Sequence, residues 1–320
     1  MQVSLRDIQA AQKVLKGQIV RTPLIPSPML SEELEADVWL KPENWQTTGS
    51  FKIRGAYTKI ASLTDVERAR GIITASAGNH AQGVALAGKI LGVSTLIVVP
   101  EHTPETKLQG IRQHGAEVII QGRYYDDAEA YAWTLSNETG RVFIHAFEDP
   151  AIVAGQGTIG LEIFEDLKNI NAIVIPAGGG GLLCGIGVAS QHLSADTKII
   201  GVQSEASPAW HAAFAAGAIV PVSYQDTWAE GLLGGIGVQN FALAQPLVKS
   251  IELVTESEIQ EAILWALTVH HMLLEGSAAV SLAYALYHAR KRLRGQTVVL
   301  VLTGSNIDLG RVRQLLNRNP

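Results

Sequence analysis

Short apolar, β-branched segments alternate with helical stretches along most of this chain, and this alternation restricts the fold more than any other feature. We predict strands at 38–40, 71–75, 94–99, 116–120, 142–144, 172–176, 198–203, 249–254 and 297–302. We predict helices at 4–16, 50–62, 79–91, 104–114, 125–138, 150–167, from 182 onward, at 256–273, 278–290 and 308–316. Brief continuous apolar strands separated by helices are typical of parallel sheets that are covered on both faces. Two such series, one ending at 144 and one beginning at 150, predict an α/β protein with two open, twisted, mainly parallel sheets.

The composition is that of a packed globular protein, since hydrophobic residues make up 47% and charged residues 17% of the 320 residues. This length is sufficient for about two domains. The net charge of −5 argues against nucleic acid or an anionic membrane as a partner. Residues 172–191 carry no charge, but Pro176 and four consecutive glycines argue against a membrane span. The single cysteine, Cys184, cannot form an internal disulfide, so we expect a cytoplasmic protein.

One lysine, Lys52, follows Ser50 and Phe51 near the start of a predicted helix. We expect Ser50 to cap the first turn of this helix. The exposed N–H groups and the positive end of the helix dipole disfavour an ammonium there, so the position favours a neutral, nucleophilic amine. Judged alone, however, Lys52 is better explained as a solvated residue of an amphipathic helix.

Three predicted strands end in short polar loops of small residues. These loops are Ser76–His80, Ala177–Gly181 and Thr303–Asn306. Ligands of open α/β sheets bind beyond the carboxyl ends of the strands. The first loop offers hydroxyl, amide and backbone donors that suit a carboxylate, although a helix cap explains it equally well. The Thr303 loop likewise fits either a ligand contact or a cap on the last helix.

Four consecutive glycines, Gly178–Gly181, precede a predicted helix. Backbone N–H groups at the positive end of a helix form a phosphate site that needs no lysine. A tight turn is the alternative, but four glycines carry an entropic cost that a turn alone does not require. The stretch matches neither the dinucleotide nor the triphosphate glycine fingerprint, which weighs against those ligands. Together with Lys52, the three loops suit a phosphorylated aldehyde with a ring, and pyridoxal phosphate is such a cofactor.

Long motifs then resemble the fold-type II pyridoxal-phosphate enzymes, within the branch of threonine/serine dehydratases and serine racemases. The similar segments are 41–56, 74–85, 155–162, 178–181 and 302–308, in order along nearly the whole chain. The resemblance implies a fold like that of the tryptophan synthase β chain, with a smaller domain inserted in a larger one. It places the large cofactor-binding domain at 1–70 and 148–320 and a small mobile domain at 71–147. It also implies a homodimer.

The resemblance further implies roles for individual residues. Lys52 would be joined to the cofactor and act as the catalytic base, Phe51 would pack on the ring, and Asn79 would bond the ring hydroxyl. The other cofactor contacts would come from Gly178, Gly179, Gly180, Gly181, Leu182 and, at the pyridine nitrogen, Thr303. The substrate contacts would come from Ser76, Gly78, Asn79, His80 and Gly231.

The activity implied is a β-elimination that converts a hydroxy amino acid, such as L-threonine or L-serine, to a 2-oxo acid and ammonia. Ala77 stands where racemases of this branch have a serine base, so racemisation is the weaker alternative. Gln203 and Ala209 stand where metal-binding members have carboxylates, so we predict no metal site. Residues 226–235 depart from the common pattern, which leaves open a dehydratase for another 3-hydroxy amino acid. Glu275 is retained, without a role that the resemblance specifies.

Overall fold

The computed structural model describes residues 1–317 as two sheets covered by helices. The strands are β1 (Ile25–Pro26), β2 (Asp37–Pro42), β3 (Ile72–Ala75), β4 (Thr95–Val99), β5 (Glu117–Ile120), β6 (Val142–Phe143), β7 (Ala172–Pro176), β8 (Lys198–Ser204), β9 (Ser250–Val254) and β10 (Thr297–Leu302). The helices are α1 (Leu5–Leu15), α2 (Pro28–Leu34), α3 (Lys52–Ala61), α4 (Asp65–Arg70), α5 (Asn79–Leu91), α6 (Glu105–Arg112), α7 (Tyr125–Thr139), α8 (Pro150–Asp166), α9 (Gly181–Leu193), α10 (Ala209–Ala216), α11 (Val238–Ala244), α12 (Glu256–Val269), α13 (Gly276–Tyr287), α14 (Arg290–Leu293) and α15 (Leu309–Leu316). Single 3-10 turns lie at Glu43–Trp45 and Glu230–Leu232.

The larger sheet has the strand order β1-β2-β10-β7-β8-β9. Its strands are parallel except for β1, which pairs antiparallel with β2. Alternate residues of β10 face opposite cores: Val298 and Leu300 belong to one buried cluster, Val299 and Val301 to the other. Because side chains alternate across a strand, a strand buried on both faces is apolar throughout. The predicted parallel sheet with two covered faces is therefore confirmed.

The smaller sheet has the order β5-β4-β3-β6 and is parallel throughout. All of its strands come from the chain between β2 and β7, so one sheet is inserted into the sequence of the other. This confirms the predicted α/β fold class with an inserted smaller unit. The exact borders at 70/71 and 147/148 stay a prediction.

Helices α2 and α4 lie outside the helices that we predict. Helix α2 begins at Pro28, with Ser27 as its cap. Proline is well suited to this position, since its missing N–H would have no partner in the first helical turn. Helix α4 was not predicted, although Thr64 and Glu67 form a capping box at its start.

One glycine spacing of the dinucleotide type does occur outside the tetraglycine stretch, at Gly155, Gly157 and Gly160. These glycines lie inside α8 and follow no strand, which removes the context that the fingerprint requires. A Cβ on Gly155 would lie 2.6 Å from the Arg54 carbonyl oxygen, and one on Gly157 would lie 2.9 Å from the Gly185 oxygen. The glycines therefore allow α8 to pack closely against α3 and α9.

The uncharged stretch at 172–191 folds as β7, the glycine loop and most of α9. Across residues 1–317, the structure contains no helix with the length and apolar character needed to cross a membrane.

Candidate active site

A cavity of about 840 Å³ lies between the two sheets, beside the loops that follow β3, β7 and β10. All of the site residues predicted from the sequence line this cavity. They are Phe51, Lys52, Ser76, Gly78, Asn79, His80, Gly178, Gly179, Gly180, Gly181, Leu182, Gly231 and Thr303. The fold thus brings together segments that are separated by more than two hundred positions in the sequence. What each of these residues does there remains a proposal.

Lys52 is the first residue of α3, and the expected Ser50 cap is wrong. Phe51 occupies the cap position without a side-chain bond, while the buried Ser50 hydroxyl has no hydrogen-bond partner within residues 1–317. Ser50 instead pairs through its backbone with Gly304, and the Phe51 N–H donates to the Thr303 carbonyl at 3.2 Å. The start of α3 is therefore fixed by the loop after β10 rather than by a local cap.

The Lys52 amine donates to the Ala146 carbonyl at 3.1 Å and lies 5.3 Å from the centre of the Phe51 ring. Burial lowers the pKa of Lys52 to about 8, and the charge of Glu275 opposes this change. The amine is thus biased toward its neutral form, as the sequence suggested. The principal cause is loss of hydration rather than the helix dipole.

A buried ionic cluster lies beneath the first turn of α3. Arg54 donates to Glu43 at 2.7 and 2.8 Å and to Glu162 at 2.7 and 2.9 Å, and Lys41 reaches Glu162 at 2.5 Å. Thr22 donates its hydroxyl to Glu43 at 2.6 Å. This cluster joins β2 and α8 to α3 two residues beyond Lys52. The burial of Arg54 and its ion pairs were not predicted, although Lys41, Glu43 and Glu162 all lie in the segments that resemble the family.

The glycine loop after β7 is held by its carbonyl groups. Gly179 accepts from Asn240 Nδ2 at 2.9 Å and from the Gly237 N–H at 3.2 Å, and Gly178 accepts from the Trp210 indole. Gly180 has a φ of +104°, a conformation that glycine adopts without strain. A Cβ on Gly179 would lie 2.2 Å from the Phe147 ring, so this position has no room for a side chain.

Helix α9 begins directly at Gly181, and Leu182 is its second residue. The N–H groups of a first helical turn have no partners within their own helix. They are therefore available to an anion at this end of the cavity. The Leu182 side chain itself is buried in the core beneath.

Helix α5 presents its N-terminus to the same cavity. Gly78 is the cap residue, a Cβ placed there would have no atom within 4 Å, and its N–H donates to the Ser76 hydroxyl at 3.2 Å. The ring of His80 turns away, with Nε2 at 3.0 Å from the Ile144 carbonyl. Burial lowers the pKa of His80 to about 3, so this imidazole is neutral. At this position only the backbone of His80 is available to an anion.

Asn79 makes two side-chain contacts with the far side of the cavity. Its Nδ2 donates to Glu275 at 2.7 Å, and its Oδ1 accepts from Asn306 Nδ2 at 2.7 Å. Burial raises the pKa of Glu275 to about 7, with the Asn79 hydrogen bond opposing that rise. These two partners of Asn79 were not predicted. The motif that contains Asn306 was noted, but its pairing with Asn79 depends on the fold.

Charged side chains from both parts of the molecule lie beside the cavity. Lys107 of α6 lies 3.2 Å from Glu230, and Arg311 of α15 contacts the same carboxylate at 3.2 Å. Next to Glu230, the Gly231 N–H donates to the Ser277 hydroxyl at 2.8 Å. Within residues 1–317 there is no cluster of three or more side chains that could hold a metal ion.

Sequence comparison assigns the family. The profile described as "Pyridoxal-phosphate dependent enzyme" matches residues 15–304. The chain belongs to this family. The L-threonine ammonia-lyase of Thermotoga maritima is 43% identical over 317 residues, which cover 99% of this chain and 79% of that protein.

Structural comparison agrees with this membership. The processed form of threonine deaminase isoform 2 from Solanum lycopersicum superposes with a TM-score of 0.93 at 36% identity, covering 98% of this chain and 87% of that one. Maize serine racemase superposes with a TM-score of 0.93 at 28% identity, covering 99% and 97% of the two chains.

The residues of the cavity fit pyridoxal phosphate. A lysine amine with a lowered pKa lies in the same cavity as a glycine loop that cannot accommodate a side chain and that precedes a helix N-terminus. The aldehyde of the cofactor reacts with a neutral lysine amine, and its phosphate binds to the free N–H groups of the glycine loop and the helix N-terminus.

Proposed function

We propose that this chain is an ammonia-lyase that converts a β-hydroxy amino acid, L-threonine or L-serine, to the corresponding 2-oxo acid and ammonia. The observation that carries this proposal is the Lys52 amine, whose pKa is lowered by burial, in one cavity with the glycine loop and the N-terminus of α5. The name of the Thermotoga maritima relative supports the choice of threonine.

In this proposal Lys52 is the base that takes the proton from the substrate Cα. Its pKa of about 8 leaves a useful neutral fraction near neutral pH, and the Ala146 carbonyl holds the amine in place. When bound, pyridoxal phosphate supplies an electron sink for the charge that remains on Cα. The Cβ–O bond then breaks as the β-hydroxyl takes up a proton and leaves as water. The released enamine tautomerises to an imine, and addition of one water molecule converts it to the 2-oxo acid and ammonia.

The other predicted residues bind and orient the substrate and the cofactor. The N–H groups of Gly78, Asn79 and His80, with the Ser76 hydroxyl, hold the substrate carboxylate at the positive end of α5. The N–H groups of Gly178–Leu182 hold the phosphate. Phe51 packs on the cofactor ring. The neutral Thr303 hydroxyl bonds the pyridine nitrogen without protonating it, and Gly231 lines the side of the substrate pocket.

Racemisation is the second candidate, because the fold matches maize serine racemase as well as it matches threonine deaminase. A racemase must also deliver a proton to the opposite face of Cα. Ala77, which lines the cavity, has a methyl side chain that cannot transfer protons. This residue favours elimination over racemisation.

We further propose that residues 71–147 close over the substrate against a large domain formed by 1–70 and 148–320. The Lys107–Glu230 and Asn79–Glu275 contacts run between these two parts beside the cavity, which supports closure at this place. A homodimer is proposed from the family resemblance alone. A cytoplasmic location is proposed from the single buried Cys184.

The test is to reconstitute the purified protein with pyridoxal phosphate and incubate it with L-threonine, L-serine and an acidic 3-hydroxy amino acid. We expect 2-oxo acid from threonine or serine in excess of any D-isomer. Replacing the base, Lys52→Ala, should lower the rate by about 10²–10⁴-fold. D-serine as the main product would favour the racemase. A protein that cannot be reconstituted to a yellow form would overturn the whole proposal.

A further inference from the structure

Asn79 of α5 is clamped between two side chains that belong to the larger sheet's loops and helices. Asn306 follows β10, and Glu275 is the residue immediately before α13. The two contacts are both 2.7 Å long, with Asn306 Nδ2 donating to Asn79 Oδ1 and Asn79 Nδ2 donating to Glu275 Oε1. The nitrogen of the Asn79 amide thus has an acceptor as its partner, and the oxygen of the same amide has a donor.

This arrangement determines which way the Asn79 amide points. The Asn306 amide nitrogen only donates, as it also does to the Thr48 carbonyl, and the Glu275 carboxylate only accepts when it is ionised, above its pKa of about 7. A half-turn of the Asn79 amide would place its oxygen against the Glu275 carboxylate and its nitrogen against Asn306 Nδ2. Both hydrogen bonds would be lost, and both contacts would become repulsive.

We propose that Glu275 and Asn306 are positioning residues that lock the Asn79 amide, leaving the second N–H of its nitrogen for the ring oxygen of the cofactor. The inference rests on the proposed cofactor contact of Asn79 and adds two residues that act through it. An amide nitrogen carries two N–H groups, and Glu275 uses only one of them.

Both partners of Asn79 are themselves held in place. Asn306 Nδ2 also donates to the Thr48 carbonyl at 2.8 Å. The Glu275 N–H donates to the Gly304 carbonyl at 3.1 Å. A Cβ on Gly304 would lie 2.5 Å from Glu275 Oε1, so the carboxylate is seated directly against the backbone. The loop after β10 thus positions both sides of the clamp.

The test compares the binding of two cofactors to the apoprotein by fluorescence titration. One is pyridoxal phosphate and the other is 3-deoxypyridoxal phosphate, which lacks the ring oxygen. The measured quantity is the ratio of the two dissociation constants in the wild type, Glu275→Leu, Glu275→Gln and Asn306→Ala. Glu230→Gln, another acid that lines the cavity but does not contact Asn79, is the matched control.

We expect the preference for pyridoxal phosphate to fall about tenfold in Glu275→Leu and Asn306→Ala, the effect of one hydrogen bond to a charged group. Glu275→Gln retains an accepting oxygen and should keep more of the preference than Glu275→Leu. Glu230→Gln should keep all of it.

A merely structural role for Glu275 would weaken both cofactors equally and leave the ratio unchanged, which would overturn the proposal. Circular dichroism checks folding, and Asn306→Ala probes the clamp from the other side if Glu275→Leu does not fold. A wild type without any preference would also overturn the inference, while the substrate assay for the ammonia-lyase would stand on its own result.

Discussion

At the scale of single residues, the reactivity of Lys52 follows from where its amine lies. Burial lowers its pKa from 10.5 to about 8. The position of Lys52 at a helix start could be predicted from the sequence. The burial could not, because the groups around Lys52, among them the Ala146 carbonyl and Gly83 of α5, are distant in the chain.

We expect the attachment of pyridoxal phosphate to Lys52 of the apoprotein to accelerate as the pH rises through about 8. The protonated amine is not nucleophilic, so the rate follows the neutral fraction. Borohydride trapping at a series of pH values, followed by peptide mapping, measures it. N-acetyl-lysine is the reference compound, with a midpoint near its ordinary value of about 10.4. A Lys52 midpoint close to that of the reference would contradict the prediction.

The same pKa difference links folding to pH. Between pH values of about 8 and 10.5, the unfolded chain keeps a proton on Lys52 that the folded chain has lost. The contribution of this residue to the stability of the apoprotein therefore increases as the pH rises through that window.

At the scale of secondary-structure elements, the glycine loop depends on close backbone approach. The sequence predicted a phosphate site there from four consecutive glycines. It did not show that Gly179 lies under the ring of Phe147, since the two residues are brought together only by the fold.

Gly179→Ala should weaken pyridoxal phosphate binding by at least about tenfold, because the new Cβ would lie 2.2 Å from the Phe147 ring and the loop must shift. Titration of the apoprotein measures this effect. Adding Phe147→Ala makes space and should restore part of the affinity. The control is Gly110→Ala in α6, where the nearest atom would be 3.6 Å away. Equal losses in Gly179→Ala and the control would contradict the explanation.

The buried ionic cluster supports α3 from below, and its strength can be tested by removing one partner. Arg54→Met leaves Glu43 and Glu162 without their principal cation, which should lower the free energy of unfolding by about 3–5 kcal/mol. The matched control is Arg21→Met, which removes a largely exposed arginine paired with Glu165 and Asp166. Its loss should be below about 1 kcal/mol. Urea unfolding of both apoproteins decides, and similar losses would mean that the cluster is not important for stability.

At the scale of the whole molecule, the cavity lies between the two sheets, and contacts such as Lys107–Glu230 and Asn79–Glu275 join the parts on either side of it. We expect the loops at 76–80 and 145–148 to become protected when the cofactor-loaded protein binds L-alanine, an amino acid without a β-leaving group. Closure would bring these segments against the larger sheet's loops. Hydrogen–deuterium exchange measures the change, with β8 as the internal control. Unchanged exchange in both segments would argue against the proposed closing domain.

Residue patterns along the chain were enough to predict the class of fold and a set of candidate site residues. Alternation of apolar strands with helices is a local property, so two parallel sheets could be predicted from it, whereas the inserted smaller unit was implied by the resemblance to the family. The four glycines indicated a phosphate site by themselves, whereas Lys52 and the Ser76 loop indicated ligand binding only in combination with the other loops. The predicted Ser50 cap was wrong because the Ser50 backbone pairs with Gly304, which comes from a distant segment of the chain.

The orientation and the environment of these groups depend on contacts that form when the chain folds. It turned the His80 ring away from the cavity, buried the charges of Arg54 and Glu43, and placed Asn79 between Glu275 and Asn306. Each of these outcomes depends on desolvation or on a hydrogen-bond partner from elsewhere in the chain. Residue types indicate which chemistry is available, whereas burial and partners decide which protonation state and which orientation that chemistry adopts.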